Sequence, residues 1–140
     1  MQDGIHALLV YGQKSPLQAL KGILERQGIH VSRAQDCSEA RLALGRSERP
    51  VLVFTDLDVP DGTWREIVEM ASQAWPQLPV IVVSRQLELD VYQKVIDSGA
   101  LDFVVPPFRA ADVAHIVRSA THDRLGPWLR QPDETCVNAA

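Results

Sequence analysis

The stretch Val51-Leu52-Val53-Phe54-Thr55-Asp56-Leu57-Asp58-Val59-Pro60-Asp61-Gly62 constrains this chain most: a continuous apolar run stops at an acid and gives way to Pro and Gly. A strand without polar alternation must be covered on both faces, as the strands of parallel sheets are. In open α/β sheets ligands gather at the carboxyl ends of such strands, and Asp56 stands at that end. The structural alternative is that Asp56 only caps the following turn, a common use of Asp after a strand.

Strand-sized apolar runs also occupy residues 5–10, 80–83 and 103–105, and residues 29–34 read as a further strand. Between them apolar residues recur at helical spacing. Leu17, Leu20, Ile23 and Leu24 follow the N-cap pair Ser15-Pro16 and stop at Gly28. Ala40, Ala43 and Leu44 form a weaker helix to Gly45, capped by Asp36 with Glu39 or by Ser38. Ile67, Val68, Met70, Ala71 and Ala74 make a third apolar face, bracketed by Trp64 and Trp75 and ended by Pro76. Leu87, Val91, Val95 and Ile96 make a fourth, closed by Gly99, and Val113, Ile116, Val117 and Ala120 a fifth. Strands alternating with helices over short connections predict a parallel sheet with helices on both faces and right-handed crossovers.

A length of 140 residues suits one domain with a real core. The organisation expected is a domain over residues 1–124, then a tail or linker over 125–140, where Pro127 and Pro132 break the pattern. With 46% apolar and 23% charged residues, neither disorder nor a membrane span is indicated. A net charge of -4 with 14 scattered Lys and Arg argues against direct nucleic-acid binding. Cys37 and Cys136 lie far apart without metal-ligand spacing, and the N-terminus has no signal-type segment, so a cytoplasmic location is expected. His6, His30, His115 and His122 also lack ligand spacing and read as surface or helix-face residues.

With these elements in order, residues 5–122 resemble the receiver domains of bacterial two-component response regulators. Asp56 falls at the family's phospho-acceptor, and Asp58 at the position whose backbone carbonyl helps hold magnesium. Pro60 and Gly62 match the loop that follows. Ser84 takes the place of the switch hydroxyl, Phe103 that of the switch aromatic, and Gly99-Ala100-Leu101-Asp102-Phe103 resembles the turn before the last strand. Pro107-Phe108 matches the end of the family's Lys-Pro-Phe signature. The resemblance implies a flavodoxin-like (βα)5 fold, a doubly wound five-stranded parallel sheet of strand order 2-1-3-4-5, and a cis peptide between Pro106 and Pro107. It implies a signalling module in a phosphorelay, not an enzyme. Its expected partners are a sensor histidine kinase or another signalling protein, with an output domain or homodimer on the face of the fourth helix, fifth strand and fifth helix.

Two departures are as specific as the matches. Where the family carries an acidic pair after strand one, this chain has Tyr11 and Gly12, and Pro106 replaces the family's lysine. Magnesium needs hard oxygen donors, and phosphoryl transfer depends on cations to offset charge. Asp56 and the Asp58 carbonyl alone predict Mg2+ binding in the millimolar range or beyond. Each missing charge partner typically costs ~3 kcal/mol, about a hundredfold in rate. The expectation is a receiver with weakened or phosphorylation-independent control.

Other residues near this site carry two readings each. Arg85 either reaches Asp56 as a substitute cation or is a solvated loop residue. Asp61 either replaces a metal ligand or serves the turn before Gly62. Tyr11 is expected as an aromatic plug in the vacated metal pocket. An enzymatic alternative takes Asp56-Leu57-Asp58 as the DxD motif of a haloacid-dehalogenase-like phosphohydrolase, with Asp56 as nucleophile and Asp58 as general acid. That family places the motif on its first strand and needs a downstream lysine and acidic pair, which Ser84-Arg85 and Pro106-Pro107 do not offer. A flavodoxin-like cofactor binder would need a phosphate-cradling loop after strand one, and residues 12–16 contain one glycine.

Overall fold

The elements run β1 (His6–Val10), α1 (Leu17–Arg26), β2 (His30–Ala34), α2 (Cys37–Leu44), β3 (Leu52–Asp56), β4 (Asp58–Val59), β5 (Gly62–Thr63), α3 (Trp64–Gln73), β6 (Val80–Val83), α4 (Leu89–Asp97), β7 (Asp102–Val104) and α5 (Ala110–Asp123). The computed structural model describes residues 5–13, 15–45, 50–74 and 77–123; Trp75, Cys136 and residues 125–140 lie outside them. Five strands form one sheet in the order β2-β1-β3-β6-β7, every pair parallel. Counting only these five strands, the order is the expected 2-1-3-4-5. No helix among the described residues is long and apolar enough to cross a membrane.

The absence of polar alternation in β3 has a direct cause. Leu52 and Phe54 belong to a core shared with Leu17, Leu20 and Leu24 of α1 and Val113 and Val117 of α5. Val53 faces the other core, with Ala40 of α2, Ile67 and Ala71 of α3 and Val95 of α4. Burying a Leu or Phe side chain fully contributes about 1.5–3 kcal/mol, so β3 is fixed from both sides. It sits at the centre of the sheet and delivers Asp56 at its carboxyl end.

The helix ends follow local chemistry. Ser15 Oγ accepts the Leu17 amide at 3.0 Å, and Pro16 already has helical φ and ψ. Gly28 and Gly99, after α1 and α4, take positive φ of 81° and 105°. Asp36 caps α2 by accepting the Glu39 amide at 2.9 Å. α3 starts earlier than its apolar face suggests, because Thr63 and Glu66 form a capping box. Trp64 is buried in the α2/α3 core, with Arg65 over its ring.

Two expectations are corrected. The Pro/Gly loop after Asp56 contains a small antiparallel hairpin, Asp58 paired with Thr63 and Val59 with Gly62, pinned by buried Val59. Leu87 precedes α4 instead of lying on its apolar face and is 58% exposed, because the helix begins only after Glu88, which makes no side-chain cap. The Pro106-Pro107 peptide is cis.

Candidate functional site

Asp56 ends β3 opposite Val83 of β6. Alternation along the strand directs its side chain to the α1 side, the face taken by Leu52 and Phe54. Among the described residues the buried polar side chains are Ser15, Thr55 and Ser84. Each closes on this end of the sheet: Thr55 precedes Asp56, Ser15 opens α1, and Ser84 follows β6. Thr55 Oγ1 donates to the Asp56 carbonyl at 3.0 Å. The Ser15 hydroxyl, the Arg85 charge and the Leu57 amide are near enough to the Asp56 carboxylate to favour its charged form. Burial nonetheless holds its pKa above the ordinary carboxylate value, and nearby Asp58 adds to that rise.

Arg85 is exposed, and its charge favours the ionised form of Asp56. Ser84 donates its amide to Val104 at 3.0 Å, and its Oγ accepts the Gln86 amide at 3.3 Å. Phe103 is buried in the α2/α3/α4 core, edge-on to Tyr92 of α4 with ring centroids 5.9 Å apart. Pro106 is half-buried beyond β7 and brings no charge.

At the end of β1 the departures have physical substance. The Tyr11 ring joins the α1/α5 core, and the Arg33 guanidinium of β2 lies 4.5 Å from its centroid. Arg33 also donates to the Tyr11 carbonyl at 3.2 Å and to the Gly12 carbonyl. A Cβ at Gly12 would stand 3.3 Å from Cγ and Cδ of Pro60, so the proline ring closes on that position. Asp58, in β4, is exposed. Asp61 turns away to α2, accepting the amides of Cys37 at 2.7 Å and Ser38 at 3.2 Å and the Ser38 hydroxyl at 3.2 Å. These bonds hold its carboxyl below the ordinary range, the Cys37 amide foremost.

Magnesium requires a nearly octahedral oxygen shell. Among the described residues no three Asp, Glu, His or Cys side chains are gathered to hold a metal. Asp56 lies in the field of the Arg85 guanidinium, Asp61 is committed to α2, and Tyr11 and Gly12 bring no carboxylate. The donor set does not fit the ion. In the sequence Ser15 reads only as a helix cap, and nothing singles out Arg33. The one signal for Ser15 was a Ser-Pro pair placing a hydroxyl just beyond β1, at the sheet edge where Asp56 stands.

Residues 7–118 match the family model of the response regulator receiver domain. The chain is 30% identical to response regulator protein PilR of Pseudomonas aeruginosa over 91% of this chain and 27% of the relative. It is 27% identical to the DNA-binding transcriptional regulator NtrC of Proteus hauseri over 89% of this chain and 26% of the relative. The chain therefore spans about a quarter of the length of these relatives. Its fold is that of the receiver domain of sensor histidine kinase PA1611 from P. aeruginosa, solved with a magnesium ion in its active-site cleft. The TM-score is 0.72 at 18% identity, covering 84% of this chain and 98% of the other. An acid ending the third strand, with Ser84 just after the next strand of the sheet and Phe103 on the one beyond it, is the layout of this family, not of a DxD phosphohydrolase. The chain belongs to the response regulator receiver domain family and acts in two-component signalling.

Proposed function

We propose that this receiver keeps Asp56 as its phospho-acceptor but has weakened phosphorylation control, and signals mainly through contacts of its unmodified surface. One observation carries the reading: Asp56 is met by Ser15 and Arg85, whereas the family's acidic pair and lysine are replaced by Tyr11, Gly12 and Pro106. A ligand or modification shifts an equilibrium only through contacts that differ between the two states. With the lysine missing and magnesium bound only weakly, a phosphoryl group on Asp56 has fewer contacts through which to move Ser84 and Phe103. The domain is a signalling module without turnover of its own. Its input partner is a sensor histidine kinase or another signalling protein. Its output surface is α4, β7 and α5, offered to an output domain or a second copy. The DNA-binding named for NtrC belongs to that whole regulator; this domain, at a net charge of -4, contacts protein. Residues 1–124 are the receiver unit, residues 125–140 a tail or linker, and the location is cytoplasmic.

Intact mass after exposure to acetyl phosphate with Mg2+ tests this. Slow, substoichiometric modification is expected, with Asp56→Asn retaining partner binding and substitutions on the exposed face of residues 110–121 reducing it. Rapid stoichiometric modification, with output abolished in Asp56→Asn, would make the domain an ordinary phosphorylation switch.

A further inference from the structure

We propose that a phosphoryl group arriving at Asp56 is met by protein groups alone, the Arg85 guanidinium and the Ser15 hydroxyl, with no divalent cation taking part. The inference rests on reading Asp56 as the acceptor.

Two sets of contacts point this way. The first concerns where a cation would need ligands. Pro60 closes on Gly12 at 3.3 Å from a Cβ position, and the carbonyls of Tyr11 and Gly12 are held by Arg33. A carboxylate cannot be accommodated at residue 12 unless Pro60 yields. Asp61 is tied to α2 by three hydrogen bonds and is not available as a ligand in its place.

The second set supplies what the cation would have supplied. Arg85 follows Ser84 at the carboxyl end of β6, the strand paired with β3, and its charge already acts on Asp56. A guanidinium is a planar fork that meets two phosphoryl oxygens at once and stays charged at any physiological pH. Ser15 is 6% exposed, and its Oγ already accepts the Leu17 amide, which leaves its proton to donate at this end of the sheet. It also stands at the start of a ten-residue helix, whose first-turn amides favour negative charge. Ser84 has the same arrangement: its Oγ accepts from Gln86, leaving its proton to donate.

With acetyl phosphate the step balances without further reactants. A carboxylate oxygen of Asp56 forms a bond to phosphorus, the bond from phosphorus to the acetyl oxygen breaks, and acetate leaves with that electron pair. No proton moves. Arg85 and Ser15 offset charge on the phosphoryl oxygens throughout, the main protein contribution in phosphoryl transfer.

The test follows the appearance of the phosphoryl adduct by intact mass in the full 140-residue chain with acetyl phosphate, in Mg2+ and separately in EDTA. Initial rates should agree within about twofold, since the positions that would hold the ion are closed by Pro60 and Arg33 or committed to α2. Arg85→Ala should slow labelling about a hundredfold in both buffers, the usual effect of removing one preorganised donor. Ser15→Ala should slow it less, and Arg85→Lys should recover part of the rate, which a purely structural role would not predict. Circular dichroism melts on each variant establish that it is folded, and Asp56→Asn should take no label. A rate more than about tenfold faster in Mg2+ than in EDTA, or an Arg85→Ala variant labelled like the parent, overturns the inference. In the first case the acceptor reading stands. If the parent takes no label in either buffer, the acceptor reading fails and the inference with it.

Discussion

Asp56 and Asp61 lie in one short segment, yet the fold treats their carboxyls in opposite ways. Asp56 is half-buried; burial raises its pKa, and Ser15, Arg85 and the Leu57 amide only partly offset that. Asp61 is at the surface, and three donors from α2 stabilise its charge. The Asp61 carboxylate satisfies the amides of Cys37 and Ser38 while Asp36 takes that of Glu39, so the start of α2 leaves none of these donors open. One aspartate is held in tension with its surroundings, as reactive groups are; the other is at rest, as caps are. Sequence position separates them poorly, since both lie in one short stretch that ends in Pro60, Asp61 and Gly62.

That contrast can be attacked from both sides. The largest effect should come from the apolar floor beside Asp56. Tyr11→Ala removes a ring that is 3% exposed and the surface on which Arg33 rests, and should cost about 3–5 kcal/mol in urea unfolding. A loss near zero would mean that Tyr11 is not part of the core. On the Asp61 side, Gly62→Ala puts a Cβ 2.6 Å from Glu66 Oε1 and 3.0 Å from Cys37 Sγ. Overpacking of this kind should cost about 1–3 kcal/mol, unless Glu66 swings out and abandons its capping box.

Asp61→Asn should lower the melting temperature at pH 7. Its folded pKa is lowered, so its stabilisation is present above the unfolded value of 3.8 and is lost as pH falls through the folded pKa. Parent and variant should therefore converge in acid. Asp56→Asn should do the reverse. Its folded pKa is raised, so the contribution is full below 3.8 and is lost as pH rises through the folded pKa. The variant should melt higher than the parent at pH 7 and lose that advantage on acidification. Shifts of the same sign in the two variants would dissolve the distinction. The smallest change concerns Cys37, whose thiol is pushed up to about 11 by burial, then by Asp61 and Glu66. In Asp61→Asn, thiol alkylation at pH 8 should quicken modestly.

Much of the sheet was legible because its cause is local and periodic. A run such as Val80-Ile81-Val82-Val83 has no polar residue to expose, so it requires cover on both faces. The position of Asp56 followed from the same logic. The approach of Ser15 to Asp56 was not legible, because it brings together residues 41 positions apart and depends on how α1 leaves the sheet. The commitment of Asp61 to α2 was hidden for the same reason. The early start of α3 was readable, since Thr63 and Glu66 have capping-box spacing, but an apolar face beginning at Ile67 drew attention from it. The Asp58–Thr63 pairing offered little signal: each strand is two residues long, below the length at which alternation can be recognised.

α4 differs from the other helices in how it is fastened. Val95 is its one buried side chain, Leu89 is 74% exposed, and Glu88 provides no side-chain cap, whereas α3 buries five residues. Tyr92 adds an edge contact to Phe103. Protection against hydrogen exchange scales with the apolar contact that must be broken to open a segment. Amides of α4 should therefore exchange through a local opening well below the global unfolding free energy, while those of β3 exchange only when the whole domain unfolds. The receiver thus carries a loosely fastened helix a few residues beyond Ser84 and Arg85, and an opening there would need far less free energy than any change in β3.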